Sequence, residues 1–155
     1  MTNAKKTWLK RTLIAFLVLA VGAAAVYWYI ATEKFSDTLD ESAAFSVNAQ
    51  EFIREFEKDD KAANTKYSEK IITVSGRVAA IEPVDTTINI KFIDTTTNSY
   101  IIFAFQEQHL EKVKTLAVGD SVSIKGSCSG GIQSEILGNE SISFKRCAVI
   151  NKTDK

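Results

Sequence analysis

Few residues of this 155-residue chain have types suited to chemistry, and two of them are its only cysteines, Cys128 and Cys147. A thiol pair can close a disulfide, lie buried, or exchange electrons, and all three readings stay open here. The C-x-x-C spacing of oxidoreductases is absent. An oxidising compartment favours the disulfide, and closing a loop of about 20 residues stabilises by about 3 kcal/mol. His109 is the single histidine. It has no cysteine or carboxylate pair at ligand spacing and reads as a surface residue, because zinc needs three or four ligands. Glu107 and Glu111 are helix neighbours that read as solvent-facing. Ser127 to Gly131 contains glycine but leads into a loop, without the lysine pattern of a phosphate-cradling loop. The sequence therefore predicts no catalytic constellation, no metal and no cofactor.

The elements that position these residues begin with an uncharged stretch, Thr12 to Ala31, preceded by Lys5, Lys6, Lys10 and Arg11. Twenty helical residues rise about 30 Å, the thickness of a bilayer's hydrocarbon core. Retained basic residues would hold the N-terminus inside, and Tyr27-Trp28-Tyr29 suits the opposite headgroup layer. The competing reading is a cleaved signal peptide with a site at Ala23-Ala24-Ala25. Cleavage there would leave an unusually apolar new N-terminus. Both readings export the rest of the chain. All 19 acidic residues and 15 of the 19 basic ones follow this stretch, so the outer part is acidic overall. That disfavours nucleic-acid binding, where phosphate neutralisation supplies most of the affinity.

Residues 32–44 read as a polar stalk. A helix is predicted from Asn48 to about Lys66, with Asn48 as cap and Glu51 three residues on. Ala49, Phe52, Ile53, Phe56, Ala63 and Tyr67 form its apolar face. The period then changes to two. Strands are predicted over 70–81, ended by Pro83, and over 87–94 and 99–105. A short helix follows at 106–116, then strands over 121–127 and 141–150. Gly76 interrupts the first strand, as at a bulge or sharp bend.

Three strands, a helix and two strands is the order of an OB-fold, a five-stranded barrel. The expected architecture is mainly β: this barrel with an N-terminal helix packed on it, preceded by a single transmembrane helix. The chain divides into a cytoplasmic basic tail (1–11), the transmembrane helix (12–31), a linker (32–46), the OB-fold domain with its leading helix (47–150) and a C-terminal tail (151–155). Such barrels bind on the outer face of strands two and three. That face should carry Asn89, Lys91, Tyr100 and Ile102, with Thr73, Ser75 and Arg77 beside it. Tyr100 can stack, and Lys91 and Arg77 can meet an anion. Single-strand binders usually offer several aromatics in a basic groove, whereas this face offers one. A disulfide between Cys128 and Cys147 has a parity problem. Cys128 shares the inward phase of Val122 and Ile124, but Cys147 is out of phase with Ile142 and Phe144. A bulge near Lys145-Arg146 would reconcile them.

An ordered set of motifs carries a family resemblance. An alanine-containing charged helix leads into K-Y-x-x-K (Lys66, Tyr67, Lys70), then V-S-G-R-V (Val74 to Val78). L-x-x-G-D-x-V-x-I-K-G-x-C follows from Leu116 to Cys128, with a closing Cys147. Over roughly residues 47–150 the chain resembles the tRNA_anti-like OB-fold family. The resemblance implies a Bacteroidota-type envelope protein of a Gram-negative host. The family's name reflects likeness to anticodon-binding domains and does not itself imply tRNA binding. The chain departs from lipoprotein-like members because no cysteine precedes Cys128.

The expected protein is thus a non-enzymatic binding module in the inner membrane, N-terminus inside and barrel in the periplasm. Its expected partners are an envelope protein, a peptide or a glycan. Nucleic-acid binding and thiol redox chemistry at Cys128 and Cys147 are the alternatives.

Overall fold

The computed structural model describes residues 14, 16–29, 37–85 and 87–153. They fall into two units, Met1–Ser36 and Asp37–Lys155. In the first, residues 14 and 16–29 are helical. This corrects the expected single transmembrane helix over 12–31: among the described residues, no helix is long and apolar enough to cross a membrane. Residues 12, 13, 15, 30 and 31 of the expected span lie outside the described residues, as do the tail 1–11 and residues 32–36 of the linker.

The second unit starts with a strap where the sequence suggested a stalk. The Leu39 amide donates to Asp37 Oδ1 at 3.0 Å. Lys125 Nζ donates to the carbonyls of Leu39 and Glu41 at 3.1 and 2.8 Å. The strap then enters β1 (Phe45–Asn48), which pairs parallel with β2 (Ile71–Arg77). Between them lie two helices, α1 (Ala49–Lys58) and α2 (Asp60–Tyr67), where one was expected. Asp59 breaks the run at φ −160°, ψ 91°. Its carboxylate accepts from the Ala62 amide at 3.0 Å and so caps the second helix where the first ends. Asn48 caps α1 as predicted, accepting from the Gln50 amide at 2.9 Å.

The remaining elements are β3 (Ala80–Val84), β4 (Thr87–Ile93), β5 (Tyr100–Phe105), a 3-10 turn (Glu107–His109) running into α3 (Leu110–Lys114), β6 (Ser121–Gln133) and β7 (Glu140–Thr153). The strands form one seven-stranded sheet in the open order β1-β2-β6-β7-β5-β4-β3. The five-stranded barrel expected from the sequence is corrected accordingly, for two local reasons. The long first strand splits where the Val78 and Ala79 amides turn to the carbonyls of Asp120 and Lys91, both at 2.9 Å. The strap adds β1 to one side of β2. Pro83 does not end the strand but lies in β3, which pairs only with β4 at the margin of the sheet. There a missing amide costs no ladder bond.

The OB-fold order survives these changes. β2 and β3 sit far apart in the strand order yet are two residues apart in the chain, so the sheet curls round one core. Rings run continuously through that core and into the helices. Phe92–Phe103, Phe103–Phe144, Phe144–Phe52 and Phe52–Tyr67 have centroid separations of 4.8, 5.1, 5.8 and 4.8 Å. The β6–β7 pair extends well past the predicted ends and takes the expected Ser127–Gly131 loop into β6.

Candidate functional site

The predicted binding face divides. Asn89, Lys91 and Tyr100 lie on β4 and β5, where Lys91 stands opposite Ile102 and Asn89 opposite Ala104. Lys91 is already engaged. Its Nζ lies 2.7 Å from Glu82 Oε1 on β3 and 5.1 Å from the centroid of the Tyr100 ring. One salt bridge and one cation–π contact therefore occupy both the cation and the aromatic surface that were to meet a ligand.

Arg77 lies elsewhere, at the end of β2 opposite Ser121. It lines a cleft of about 400 Å³. Asn48, Ala49, Gln50 and Ile53 contribute from α1 and its cap, and Ser75, Gly76 and Arg77 from β2. Phe92 and Ile93 come from the end of β4, and Ser121, Val122 and Ser123 from the start of β6. Ile53, Phe92 and Val122 belong to the buried core and floor the cleft, while the hydroxyls and amides form its rim. The Ser75 and Ser123 hydroxyls are 2.8 Å apart. Gly76 makes this geometry possible: a Cβ there would come within 2.8 Å of both Ala49 Cβ and the Phe92 ring. Its role is thus close approach of α1 to the sheet.

The two places differ in whether their cation is already neutralised. Among the described residues no carboxylate lines the cleft, and no hydrogen bond or ion pair holds the Arg77 guanidinium. The start of α1 adds partial positive charge to the same space.

The cysteines are two free, buried thiols, not the expected disulfide. The predicted bulge is present: Arg146 has φ 54°, and pairing jumps from Lys125↔Ala148 to Ser127↔Lys145. It turns Cys147 inward as the parity argument required. The register nevertheless places Cys128 opposite Phe144 and Cys147 opposite Phe105. Burial pushes the Cys128 thiol up to about 11 and Cys147 well above the usual range. A nucleophilic or redox-active thiol needs the opposite shift.

His109 is also displaced from its expected surface position. It is buried, and its Nε2 lies 2.8 Å from Asp37 Oδ1 in the strap. The backbone amide of Leu39 and then the His109 hydrogen bond hold the Asp37 carboxyl below its ordinary value.

Most motif residues serve the fold. Tyr67 is buried and donates its hydroxyl proton to Glu55 at 2.7 Å. Lys66 and Lys70 flank the Phe45 ring, and Lys125 anchors the strap. Ser75 and Arg77 of V-S-G-R-V instead open onto the cleft. Sequence reasoning missed its other polar walls, Asn48, Gln50, Ser121 and Ser123. The alternation S-V-S-I over 121–124 was the available signal for the two serines.

The family model tRNA_anti-like matches residues 1–142. No curated protein matches the chain. Among solved structures, a lipoprotein from Klebsiella pneumoniae subsp. pneumoniae, described as nucleic acid-binding, is similar with 16% identity and TM-score 0.55, over 77% of this chain and 100% of that one. The asparaginyl-tRNA synthetase of Entamoeba histolytica is similar with 22% identity and TM-score 0.38, over 56% of this chain and 22% of its own. That of Pyrococcus horikoshii has 20% identity and TM-score 0.38, over 57% and 21% respectively. At 16% identity the likeness to the Klebsiella structure concerns the fold alone.

Proposed function

The chain belongs to the tRNA_anti-like family, and from that premise we propose that it is a non-catalytic binding module of the cell envelope, outside the cytoplasm, whose cleft at the end of β2 seats a carboxylate of an acidic peptide segment. The observation that carries this reading is the Arg77 guanidinium, which among the described residues has no hydrogen-bond or ion-pair partner and lines a cleft without a carboxylate. A guanidinium presents two parallel N–H groups that match a carboxylate. The serine hydroxyls and the amides of Asn48 and Gln50 supply further hydrogen bonds. The cleft volume of about 400 Å³ suits a short segment and falls in the range of small-ligand sites. The envelope location is supported by the lipoprotein description of the Klebsiella relative.

The nucleic-acid alternative has less support from the geometry. A single-strand track combines stacked aromatics with a basic groove, and the Lys91–Glu82 pair neutralises the cation beside Tyr100.

Calorimetric titration of the full chain with an Asp/Glu-rich octapeptide, its Asn/Gln counterpart and single-stranded RNA tests the ligand class. Saturable binding of the acidic peptide, absent for the amide version, is expected. Tighter binding of RNA, with NMR shifts at Tyr100 and none at Ser75, would replace this reading with the nucleic-acid one. Protease accessibility in spheroplasts tests the compartment. A domain that stays protected until the inner membrane is broken overturns the extracytoplasmic placement.

A further inference from the structure

Glu140, the first residue of β7, is 1% exposed, and among the described residues neither carboxyl oxygen has a hydrogen-bond partner. It sits in the seam between the helical pair and the turn end of the β6–β7 hairpin, where it stands opposite Gln133. A Cβ on Gly131 would come within 2.5 Å of both Glu140 Oε1 and the Phe56 ring, so the carboxyl, the β6 backbone and α1 meet there without spare space. The charged groups acting on it are Asp60 of α2 and Glu57 of α1, both acidic. Polar bonds tie the same seam. Asn64 Oδ1 accepts from the Gly131 amide at 2.8 Å, and Asn64 Nδ2 donates to the Gly131 carbonyl at 3.0 Å. Ser99 Oγ accepts from the Glu140 amide at 3.0 Å and donates to Glu57 Oε1 at 2.6 Å.

We propose that Glu140 is a proton-operated latch: neutral, it lets α1 and α2 close on the β6–β7 hairpin, and ionised, it drives the seam open. A buried carboxylate with no donor and two acidic neighbours is disfavoured twice, by desolvation and by repulsion. Opening lets water solvate the charge. Desolvation first, then Asp60 and Glu57, raise the closed-state carboxyl from the usual 4.5 to about 7. The closed seam therefore keeps its full stability in acid, below the open-state value. It loses that stability as the pH rises toward the closed-state value, and opening levels off beyond it. The device is independent of what the Arg77 cleft binds.

Amide hydrogen exchange on the full chain tests it at the Gly131 amide, whose bond to Asn64 crosses the seam. After correction for intrinsic exchange, the opening equilibrium should rise on the order of fiftyfold between about pH 5 and 7.5. Glu140→Gln, which cannot ionise, should hold it within about twofold across that range. A flat wild-type profile, or a Glu140→Gln profile that rises as the wild type does, overturns the latch. Should Glu140→Gln not fold, Glu57→Gln combined with Asp60→Asn decides. A smaller rise, levelling off at lower pH, supports the latch, and an unchanged rise overturns it.

Discussion

Arg77 and Lys91 are two cations on neighbouring parts of one sheet, both foreseen as anion contacts, yet their situations differ. Lys91 meets Glu82 at 2.7 Å and covers Tyr100. Arg77 projects into a cleft bounded by hydroxyls, amides and an apolar floor, with no acid in its lining among the described residues. A cation is available to a ligand only where its own fold leaves it unneutralised. The pairing of β3 with β4 puts Glu82 opposite Asn89, two residue pairs from Ala80↔Lys91 and so on the same face, and delivers a carboxylate to Lys91. The end of β2 has no acidic partner across the ladder, because Ser121 stands opposite Arg77.

Four substitutions break or sharpen that contrast. Gly76→Ala should have the largest effect. Its Cβ must displace α1 or the Phe92 ring, costing about 1–3 kcal/mol of stability and narrowing the cleft while leaving the Lys91 face intact. Denaturant unfolding reads the first effect and peptide titration the second. Arg77→Gln should leave stability unchanged but remove about 1.5–3 kcal/mol of acidic-peptide affinity, roughly a tenfold loss or more. Equal affinities for the wild type and this variant would erase the distinction between the two cations. Glu82→Gln releases Lys91 from its partner. Weak anion binding at the β4–β5 face should then rise by about two- to threefold at low ionic strength and fade near 0.15 M salt. Lys91→Gln should be the mildest, changing acidic-peptide affinity by less than about twofold and stability by less than about 1 kcal/mol, as for a partly exposed ion pair.

Much of this was legible from the residues, though unevenly. The alternation that points Ile90 and Phe92 inward also points Lys91 and Asn89 outward, and the Asn48 cap follows from residue type and position. The cleft was not legible because its walls come from four separate segments: residues 48–53, 75–77, 92–93 and 121–123. His109 looked like a surface residue because its partner, Asp37, lies 72 positions earlier. The cysteines show both sides of the limit. Parity alone indicated a bulge, and Arg146 supplies it. Their failure to face each other depends on the β6–β7 register, which further irregularities between Ser123 and Ile124 and between Cys128 and Gly130 also shift. Glu140 was readable as inward-facing, since it shares the phase of Ile142 and Phe144. Its lack of a partner was not.

By itself the sequence determined the local periods, the helix cap, the OB-fold element order and the acidic balance of the residues after 31, since each depends on neighbouring residues or on composition. Tertiary structure decided which charges are met and which are left alone. Lys91 is neutralised, Arg77 is open, His109 is held by the strap and Glu140 is buried without a donor, because each outcome depends on a residue brought near by strand register or helix docking. The same long-range pairing split the first strand, added β1 and produced seven strands where local periodicity suggested five.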